Sequence, residues 1–470
     1  PRRIQDRISD SFPQISGTFI KNEFSNEPDT DWALFPNRRW AEEIKIRWEK
    51  NDGASPEKIP LVTAGEEIFA GRQTKKCFDP SQPGICTAIY ANASDEDVNK
   101  SVLTAKADPD GWRKKTLRQR HEILSMAAVE LTKARGDLIG AAACTGKIFT
   151  ESDPEISEAV DFAEYYPYSA KTFDGIESVK CTGKGVGLVI SPWNFPVAIP
   201  CGGIVSSLAA GNTVIFKPSS EAVLPAWNLA KCFWKAGVSK NTLQFLPCSG
   251  SGTGAGLVNH PYVDFIILTG GTETGLKILK QRPGIFLAAE TGGKNATIVT
   301  AMSDRDQAIK NVLHSAFGNS GQKCSATSIL ILEKEVYEDE NFRKQLVDAA
   351  RSYRVGSAWH FENKMGPLIH PPEGDLKRAI EKLEPGEEWL LEPENIGGNP
   401  HMWTPGIKWG VSPGSFTHMT EFFGPILGVM CAKDLGHAVE LVNRTGYGLT
   451  SGIESLDKRE QKEWKEGVRA

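Results

Sequence analysis

Gly321-Gln322-Lys323-Cys324-Ser325 places a cysteine in a loop of small and polar residues, just before the apolar run 329–332. Small neighbours leave a sulfur accessible, and reactive groups are usually presented on loops. A cysteine considered alone is more often an inert core residue, so its sequence context decides the interpretation. Here the context favours a nucleophile, because other groups with chemical roles accompany Cys324 along the chain.

Four further stretches occur in a fixed order around this loop: Ser191-Pro192-Trp193-Asn194-Phe195-Pro196, Phe216-Lys217-Pro218, Glu290-Thr291-Gly292-Gly293-Lys294 and Glu421-Phe422-Phe423-Gly424-Pro425. One short motif matches by chance too often to support an assignment, but five in one order do support it. In this order they resemble the aldehyde dehydrogenase superfamily. The resemblance implies an enzyme that oxidises an aldehyde with NAD or NADP.

Between residues 180 and 300, short β-rich runs bounded by Gly, Pro or Asn alternate with helical segments such as 222–236. Strands are predicted at 186–191, 213–217, 243–247, 265–269 and 285–289. This alternation predicts a parallel, doubly wound α/β sheet, and a second α/β stretch begins near residues 297–299. Upstream, helices are predicted from Ser94 onward, over 117–138 and over 151–166.

The predicted domain organisation has three parts. Residues 1–55 are charged and contain too few apolar residues for a core, so we expect an N-terminal arm. The resemblance implies a Rossmann-like NAD-binding domain over 56–292, with an oligomerisation hairpin at about 166–184, and an α/β catalytic domain over 293–470. The family continues beyond this point with a substrate loop and an oligomerisation strand. We therefore expect a homo-oligomer when that C-terminus is complete.

The chemistry that the resemblance implies needs three groups. A thiolate of Cys324 adds to the aldehyde, and the hydride of the tetrahedral adduct then passes to nicotinamide. The side chain of Asn194 and the backbone N–H of Cys324 would stabilise the oxyanion, with turn capping as the alternative role of Asn194. Glu290 matches the family's general base, and we expect apolar walls to raise its pKa. The alternative for Glu290 is a solvated capping carboxylate.

The resemblance distributes cofactor contacts over several pieces of the chain. Lys217 would bind ribose hydroxyls, Glu421 would bind the nicotinamide ribose and Phe423 would pack against the nicotinamide ring. N–H groups at Thr269-Gly270-Gly271 would take the pyrophosphate, although relatives usually have Ser in place of Gly271. The remaining predicted contacts are Ser191, Pro192, Trp193, Ser220, Gly250, Gly254, Ala255 and Gly292.

Two of these cofactor predictions have alternatives. The glycine-rich run 250–256 would pack against adenosine, or it would simply ease the chain into a helix. Many NAD-specific relatives have Glu where this chain has Ser220, and that carboxylate repels a 2′-phosphate. NADP therefore remains an alternative to NAD as the cofactor.

Three regions resemble pyrroline-5-carboxylate dehydrogenases, in particular the dehydrogenase half of bifunctional proline-utilisation proteins: residues 26–31, residues 151–166 and Cys324-Ser325-Ala326. This implies oxidation of glutamate γ-semialdehyde to glutamate with NAD in proline catabolism, and a proline dehydrogenase domain or protein as partner. Phe195, Lys323 and Ser325 would contact the substrate, Ser325 through its hydroxyl or, alternatively, only as a loop residue. The competing interpretations are another semialdehyde or aliphatic aldehyde dehydrogenase and a catalytically silent nucleotide-binding scaffold.

Composition restricts the partners of the chain more than it identifies them. A net charge of −5 and a pI near 6.0 give no reason to expect nucleic acid, and no apolar run is long enough to span a bilayer. Nine cysteines form an odd set without metal-type spacing, so we expect reduced thiols and no metal site, although Cys77 and Cys86 could bridge across a turn. Reduced thiols fit the cytoplasm, or the mitochondrial matrix in a eukaryote.

Overall fold

A computed structural model describes residues 24–50, 54–174 and 176–470 and divides the chain into two units. Unit 1 comprises the chain up to Thr145 together with Phe149–Thr291, and unit 2 comprises Gly146–Ile148 together with Gly292–Ala470. The main division therefore falls between Thr291 and Gly292. That the two units are the NAD-binding and catalytic domains stays a prediction. Residues 1–23 and 51–53 of the predicted arm lie outside the described ranges.

Unit 1 contains two sheets. Its strands are β1 (Glu57–Ile59), β2 (Leu61–Thr63), β3 (Glu66–Ile68), β4 (Thr74–Phe78), β5 (Cys86–Ala91), β6 (Val186–Ile190), β7 (Thr213–Lys217), β8 (Leu243–Phe245), β9 (Phe265–Thr269) and β10 (Phe286–Glu290). Its helices are α1 (Phe35–Trp48), α2 (Asp95–Ala107), α3 (Leu117–Lys133), α4 (Arg135–Ala143), α5 (Phe149–Asp174), α6 (Ala198–Ala209), α7 (Val223–Lys235), α8 (Thr253–Asn259) and α9 (Thr272–Gln281). The five predicted strands are confirmed as β6 to β10, with ends displaced by two residues or fewer.

The larger sheet of unit 1 has the strand order β10-β9-β6-β7-β8-β2-β3. The strands from β10 to β8 in this order run parallel, and β6 and β7 are almost wholly buried and apolar, as expected for a parallel sheet covered on both faces. The chain proceeds from β6 through β7 to β8 and then returns to the other side of β6 with β9. Doubly wound sheets bind ligands outside the carboxyl ends of the strands, at this reversal of order.

One helix prediction and one hairpin prediction for unit 1 were wrong, whereas the helix predicted over 151–166 is confirmed. The single helix predicted over 117–138 is two helices, α3 and α4, because the chain leaves helical geometry at Ala134 (φ −86°, ψ 2°). Apolar periodicity continues across such a one-residue break and does not reveal it. The helix predicted over 151–166 extends over Phe149–Asp174 with Pro167 inside it. The hairpin predicted at 166–184 is therefore absent, and the described residues 176–184 contain no strand.

The described part of the predicted arm is fixed to α5. Glu27 N donates to Asp161 at 2.7 Å, and Thr30 N donates to Asp153 at 2.6 Å. Asp153 also pairs with the buried Arg135 at 3.0 Å. Removing one partner of a buried ion pair is strongly destabilising, so this network fixes the segment before α1 on unit 1.

Unit 2 is built on one six-stranded sheet of order β13-β14-β15-β12-β11-β16, in which only the β13–β14 pair is antiparallel. Its strands are β11 (Asn295–Val299), β12 (Thr327–Glu333), β13 (Glu388–Leu391), β14 (Gly406–Trp409), β15 (Ile426–Ala432) and β16 (Ser451–Glu454). Its helices are α10 (Arg305–Phe317), α11 (Lys334–Tyr337), α12 (Glu340–Arg351), α13 (Gly374–Glu381), α14 (Phe416–Met419), α15 (Leu435–Arg444) and α16 (Lys458–Gly467). β12 shows why this sheet is covered on both faces, because Leu330 packs with α10 and α12 whereas Ile329 and Ile331 pack with α15.

No helix in the described ranges combines the length and the apolar character needed to cross a membrane.

Candidate active site

Asn194 lies in the loop between β6 and α6, and its side chain is buried. The start of α6 is capped by Glu155, whose Oε1 accepts hydrogen bonds from Val197 N at 2.6 Å and Ala198 N at 3.0 Å. The first N–H groups of a helix lack partners within the helix, so this carboxylate fixes the end of the loop. An amide held in such a loop suits a preorganised donor. The other predicted contacts of the loop are the buried Ser191 and the half-buried Pro192, Trp193 and Phe195.

Lys217 ends β7, the strand next to β6, and its side chain is buried. Ser191 N donates to the Lys217 carbonyl at 3.2 Å, which continues the pairing of β6 and β7 into the loop. Beyond β7, Ser220 is hydrogen-bonded to Tyr90, and Glu221 accepts a hydrogen bond from the Ser219 hydroxyl. A carboxylate is therefore present one residue after the position at which the resemblance places one.

Gly254 has no room for a side chain. A Cβ at this position would lie 2.2 Å from the Ser249 carbonyl oxygen and 3.4 Å from Cε of Lys217. By contrast, a Cβ at Gly250 would meet no atom within 4 Å, and Ala255 is half-buried. The run 250–256 thus combines a close approach to Lys217 with an open backbone surface, and its contact with adenosine stays a prediction.

Thr269 and Glu290 are register partners at the carboxyl ends of β9 and β10. Ile190 at the end of β6 pairs with both Lys217 of β7 and Leu268 of β9, so these predicted residues share one edge of the sheet. Gly270 N donates to the Glu290 carbonyl at 3.1 Å, and Gly271 is the N-cap of α9. Gly271 has no side chain with which to cap the helix, so a phosphate group can take that role.

Among the described residues, Glu290 lacks the apolar walls that were expected around it. β10 is the edge strand of its sheet, and Glu290 is exposed at the end of it. The run 285–289 is as apolar as a central strand, which is why burial was predicted. Whether a strand lies at the edge of a sheet depends on the strand order, and local sequence does not contain that information. Glu290 therefore has its predicted place at the carboxyl edge without its predicted burial.

Cys324 is half-buried in a turn between the short segment Gly318–Gly321 and β12. Asn319, Ser320 and Gly321 all have left-handed φ values, of 53°, 57° and 70°. Such conformations are unfavourable for non-glycine residues and persist where the surroundings fix them. At Gly321 a Cβ would lie 2.2 Å from the Gly424 carbonyl oxygen. The Cys324 motif and the Glu421 motif therefore touch at this point, which explains the glycine at position 321.

Two buried amides for which no role was predicted fix the loop that carries Cys324. Asn295 donates from Nδ2 to the Cys324 carbonyl at 2.5 Å. Gln322 accepts at Oε1 from Ile369 N at 2.9 Å, and both amides are buried. The sequence signal that could have identified these two residues is an amide side chain inside or directly beside a glycine-containing motif. Their partners, however, come from distant parts of the chain.

Glu421 is held by the glycine pair that follows Glu290 in the sequence. Gly293 N donates to Glu421 Oε1 at 2.8 Å, and a Cβ at Gly292 would lie 2.1 Å from Glu421 Oε2. A Cβ at Gly293 would lie 2.5 Å from the Cys324 carbonyl oxygen, so this glycine contacts both the acid and the nucleophile loop. Phe423 is half-buried with φ of 54°, a backbone conformation that bulky residues rarely adopt outside constrained sites.

The cysteines of the chain differ in exposure, and Cys324 is half-buried. None of the nine cysteines forms a disulfide, so Cys77 and Cys86 do not bridge. Cys144 and Cys201 are fully buried, and burial raises the pKa of each thiol well above its usual value. On either side of Cys324, Lys323 is half-buried and Ser325 is exposed, and their contacts with a substrate stay predictions.

One class of protein combines a doubly wound parallel sheet, a second mainly parallel sheet covered by helices and this order of motifs. Residues 69–470 match the model of the aldehyde dehydrogenase family, and the chain belongs to this family. A 1-pyrroline-5-carboxylate dehydrogenase from Geobacillus thermodenitrificans is 31% identical over 460 residues, which cover 93% of this chain and 87% of that protein.

Two solved structures share the fold. A 1-pyrroline-5-carboxylate dehydrogenase from Thermus with bound NAD has a TM-score of 0.88 and 30% identity, covering 95% of this chain and 89% of that one. Proline utilization A from Corynebacterium freiburgense has a TM-score of 0.82 and 38% identity, covering 97% of this chain but 42% of that one. This chain thus spans less than half of the latter protein. The aldehyde dehydrogenase fold predicted from the sequence is confirmed.

Proposed function

We propose that this chain oxidises glutamate γ-semialdehyde, the open-chain form of pyrroline-5-carboxylate, to glutamate with NAD in proline catabolism. The observation that carries the proposal is 31% identity, spread over 93% of the chain, to a protein named 1-pyrroline-5-carboxylate dehydrogenase. The buried amides that fix the Cys324 loop support it, because a nucleophile needs a defined position.

Cys324, Asn194 and Glu290 have separate roles in the proposed reaction. The Cys324 thiolate forms a C–S bond to the aldehyde carbon, and the carbonyl oxygen becomes an oxyanion that the Asn194 amide stabilises. NAD, when bound, would supply the acceptor for the hydride of that carbon, and Cys324 would then carry the substrate as a thioester. Glu290 takes a proton from water as the water oxygen adds to the thioester carbonyl. The C–S bond then breaks, glutamate leaves and the thiolate is restored.

Several of the described residues suit the adenosine, pyrophosphate and ribose groups of NAD. The contact of Gly254 with Lys217 and the start of α9 after Gly271 suit the adenosine and pyrophosphate, and Glu421 suits a ribose. Glu221 adds negative charge beside Ser220, which disfavours a 2′-phosphate and favours NAD over NADP.

A partner and a compartment belong to the same proposal. The 38% identity to proline utilization A supports an association with proline dehydrogenase, within one polypeptide or between two. We infer that the protein is a homo-oligomer. A reactive thiol has to stay reduced, which favours the cytoplasm or, in a eukaryote, the mitochondrial matrix.

The full-length protein should prefer glutamate γ-semialdehyde over pentanal by at least about tenfold in kcat/KM, a gap of about 1.4 kcal/mol. A site that pairs the α-carboxylate and ammonium of the substrate loses affinity when they are missing, since its polar groups then stay unpaired. Initial rates of NADH formation measure the ratio. Ser325→Ala should reduce this ratio, because it should lower kcat/KM for glutamate γ-semialdehyde and leave kcat/KM for pentanal unchanged. Ser328→Ala, at a nearby hydroxyl that bonds the Asn295 carbonyl, is the control and should leave the ratio unchanged.

Each alternative function has its own outcome in this assay. Equal efficiency on both aldehydes refutes the glutamate semialdehyde assignment and favours a broad aliphatic enzyme. Binding of NAD without turnover of any aldehyde favours a silent scaffold.

Asn194→Ala should lower kcat by about 10²–10³, because it removes one preorganised oxyanion donor. Asn212→Ala offers a matched control in the same unit. Asn212 accepts from Gly185 N at 2.9 Å and donates to the Ser207 carbonyl at 3.0 Å, so its loss should lower thermal stability and spare kcat. If Asn194→Ala changes KM alone, Asn194 is a structural turn residue.

A further inference from the structure

Lys294, the last residue of the Glu290–Lys294 motif, is a buried lysine with an unusual environment. Its side chain is 2% exposed, and its Nζ has no hydrogen-bond partner within the described ranges of the chain. Nζ lies 4.2 Å from the centroid of the Phe422 ring, which gives it a cation–π contact. A buried ammonium is costly unless a charge compensates for it, so its position needs a physical reason.

Four titratable groups act on Lys294. Burial lowers the pKa of Lys294 to about 7, Glu421 opposes this shift, Lys408 adds to it and Glu387 opposes it. Burial is also the main cause of the lowered pKa of His418, and the neighbouring Lys294 lowers it further. Lys408 lies on β14 and His418 on α14, whereas Glu387 and Glu421 lie in the loops before β13 and after α14. Only one of the four groups remains to balance Lys294.

The other three groups have partners of their own. Lys408 pairs with Glu387 at 3.4 Å and donates to the Lys382 carbonyl at 2.6 Å, so that pair neutralises itself. His418 accepts from Gly414 N at 2.9 Å through Nδ1 and bonds the Leu441 carbonyl at 3.0 Å through Nε2, an arrangement that suits a neutral ring. Glu421 is therefore the acid whose charge Lys294 balances.

Glu421 needs such a counter-charge. Its burial raises its pKa, while the Gly293 N–H and the charge of Lys294 lower it. The Gly293 hydrogen bond at 2.8 Å fixes one carboxylate oxygen, and the lack of space at Gly292 keeps the other in place. The residue that follows these two glycines is Lys294, so one short segment supplies both the hydrogen bond and the positive charge.

We propose that Lys294 is a positioning residue that keeps the carboxylate of Glu421 ionised for the nicotinamide ribose of NAD, without itself touching the cofactor. This inference rests on the proposed function, because it assumes that Glu421 binds the cofactor. It predicts a dependence of NAD affinity on pH that a purely structural role would not produce.

The sign of this dependence follows from the two charges. Below pH 7, Lys294 is protonated and favours ionised Glu421, so its removal raises the pKa of Glu421 further. Well above pH 7, Lys294 has lost its own proton and Glu421 is ionised without help. A substitution of Lys294 should therefore weaken NAD binding at low pH and have little effect at high pH.

The test is calorimetric titration of NAD into the full chain at pH 6 and pH 9. Lys294→Met should weaken binding about tenfold at pH 6, because loss of the neighbouring positive charge raises the pKa of Glu421 and so lowers the ionised fraction of its carboxyl group. At pH 9 the difference from the wild type should fall below about twofold. Equal losses at both pH values, or no loss at pH 6, would overturn the proposal.

A second pair of variants covers the case in which Lys294→Met does not fold. Glu421→Gln has no charge to balance, and the double variant removes both charges from the core, which is less costly than leaving one unpaired. Adding Lys294→Met to Glu421→Gln should leave NAD affinity unchanged at either pH, and a further loss overturns the proposal. Absence of NAD binding by the wild-type chain would refute the proposed function as well. Wild-type binding with parallel pH profiles would refute only the role of Lys294.

Discussion

Cys324→Ala is expected to abolish aldehyde-dependent NADH formation while leaving NAD binding largely intact. The sulfur makes the bond to the substrate carbon, and no other group in the proposed mechanism can hold the acyl intermediate. The alanine side chain is smaller and apolar, and the contacts that fix the loop are made by the backbone of residue 324 and by Asn295. The loop should therefore keep its conformation. Turnover measured by absorbance, together with calorimetric NAD titration, separates loss of chemistry from loss of binding.

A cysteine elsewhere in unit 2 provides the control for this experiment. Cys431 is exposed at the surface of β15, and its replacement by alanine should retain activity. If Cys324→Ala keeps more than a few per cent of the wild-type kcat, Cys324 is not the nucleophile.

Glu290→Gln is expected to lower steady-state turnover by about 10²–10⁴, the range typical for loss of a general base. The acyl-enzyme should still form, because the amide does not prevent attack by the thiolate. Its hydrolysis should be slow, because the amide cannot take a proton from water. Stopped-flow absorbance should show a rapid burst of NADH followed by slow turnover.

The shape of the stopped-flow trace distinguishes the roles of Glu290. Loss of both burst and steady state would mean that Glu290 activates the thiol or holds the fold, and would overturn its assignment as the base for hydrolysis. Glu122→Gln is a suitable control, since that half-buried carboxylate pairs with Arg118 at 3.0 Å on the surface of α3 and its loss should have no kinetic effect.

The strands of unit 1 were predictable because each is a short apolar run with a clear boundary. Gly, Pro or Asn ends these runs, and the alternation with helices determines a parallel sheet. The same logic located Asn194, Lys217 and Glu290 at strand ends. Local sequence was sufficient here because the carboxyl ends of parallel strands meet at one edge.

Features that depend on distant parts of the chain could not be predicted in this way. The exposure of Glu290 follows from the edge position of β10, and the break at Ala134 interrupts no apolar pattern. The roles of Asn295 and Gln322 depend on hydrogen bonds to loops far away in sequence. A motif identifies which residues share a site, but the contacts that fix it belong to the tertiary structure.

The contact between Gly321 and Gly424 limits how the substrate range of this protein can be redesigned. Both partners are backbone atoms, so exchanging a neighbouring side chain creates no room for a Cβ at position 321. A library that randomises the whole nucleophile loop would consist largely of members in which the loop cannot close. Useful diversity is confined to positions 323 and 325, whose half-buried and exposed side chains can change while the glycines stay fixed.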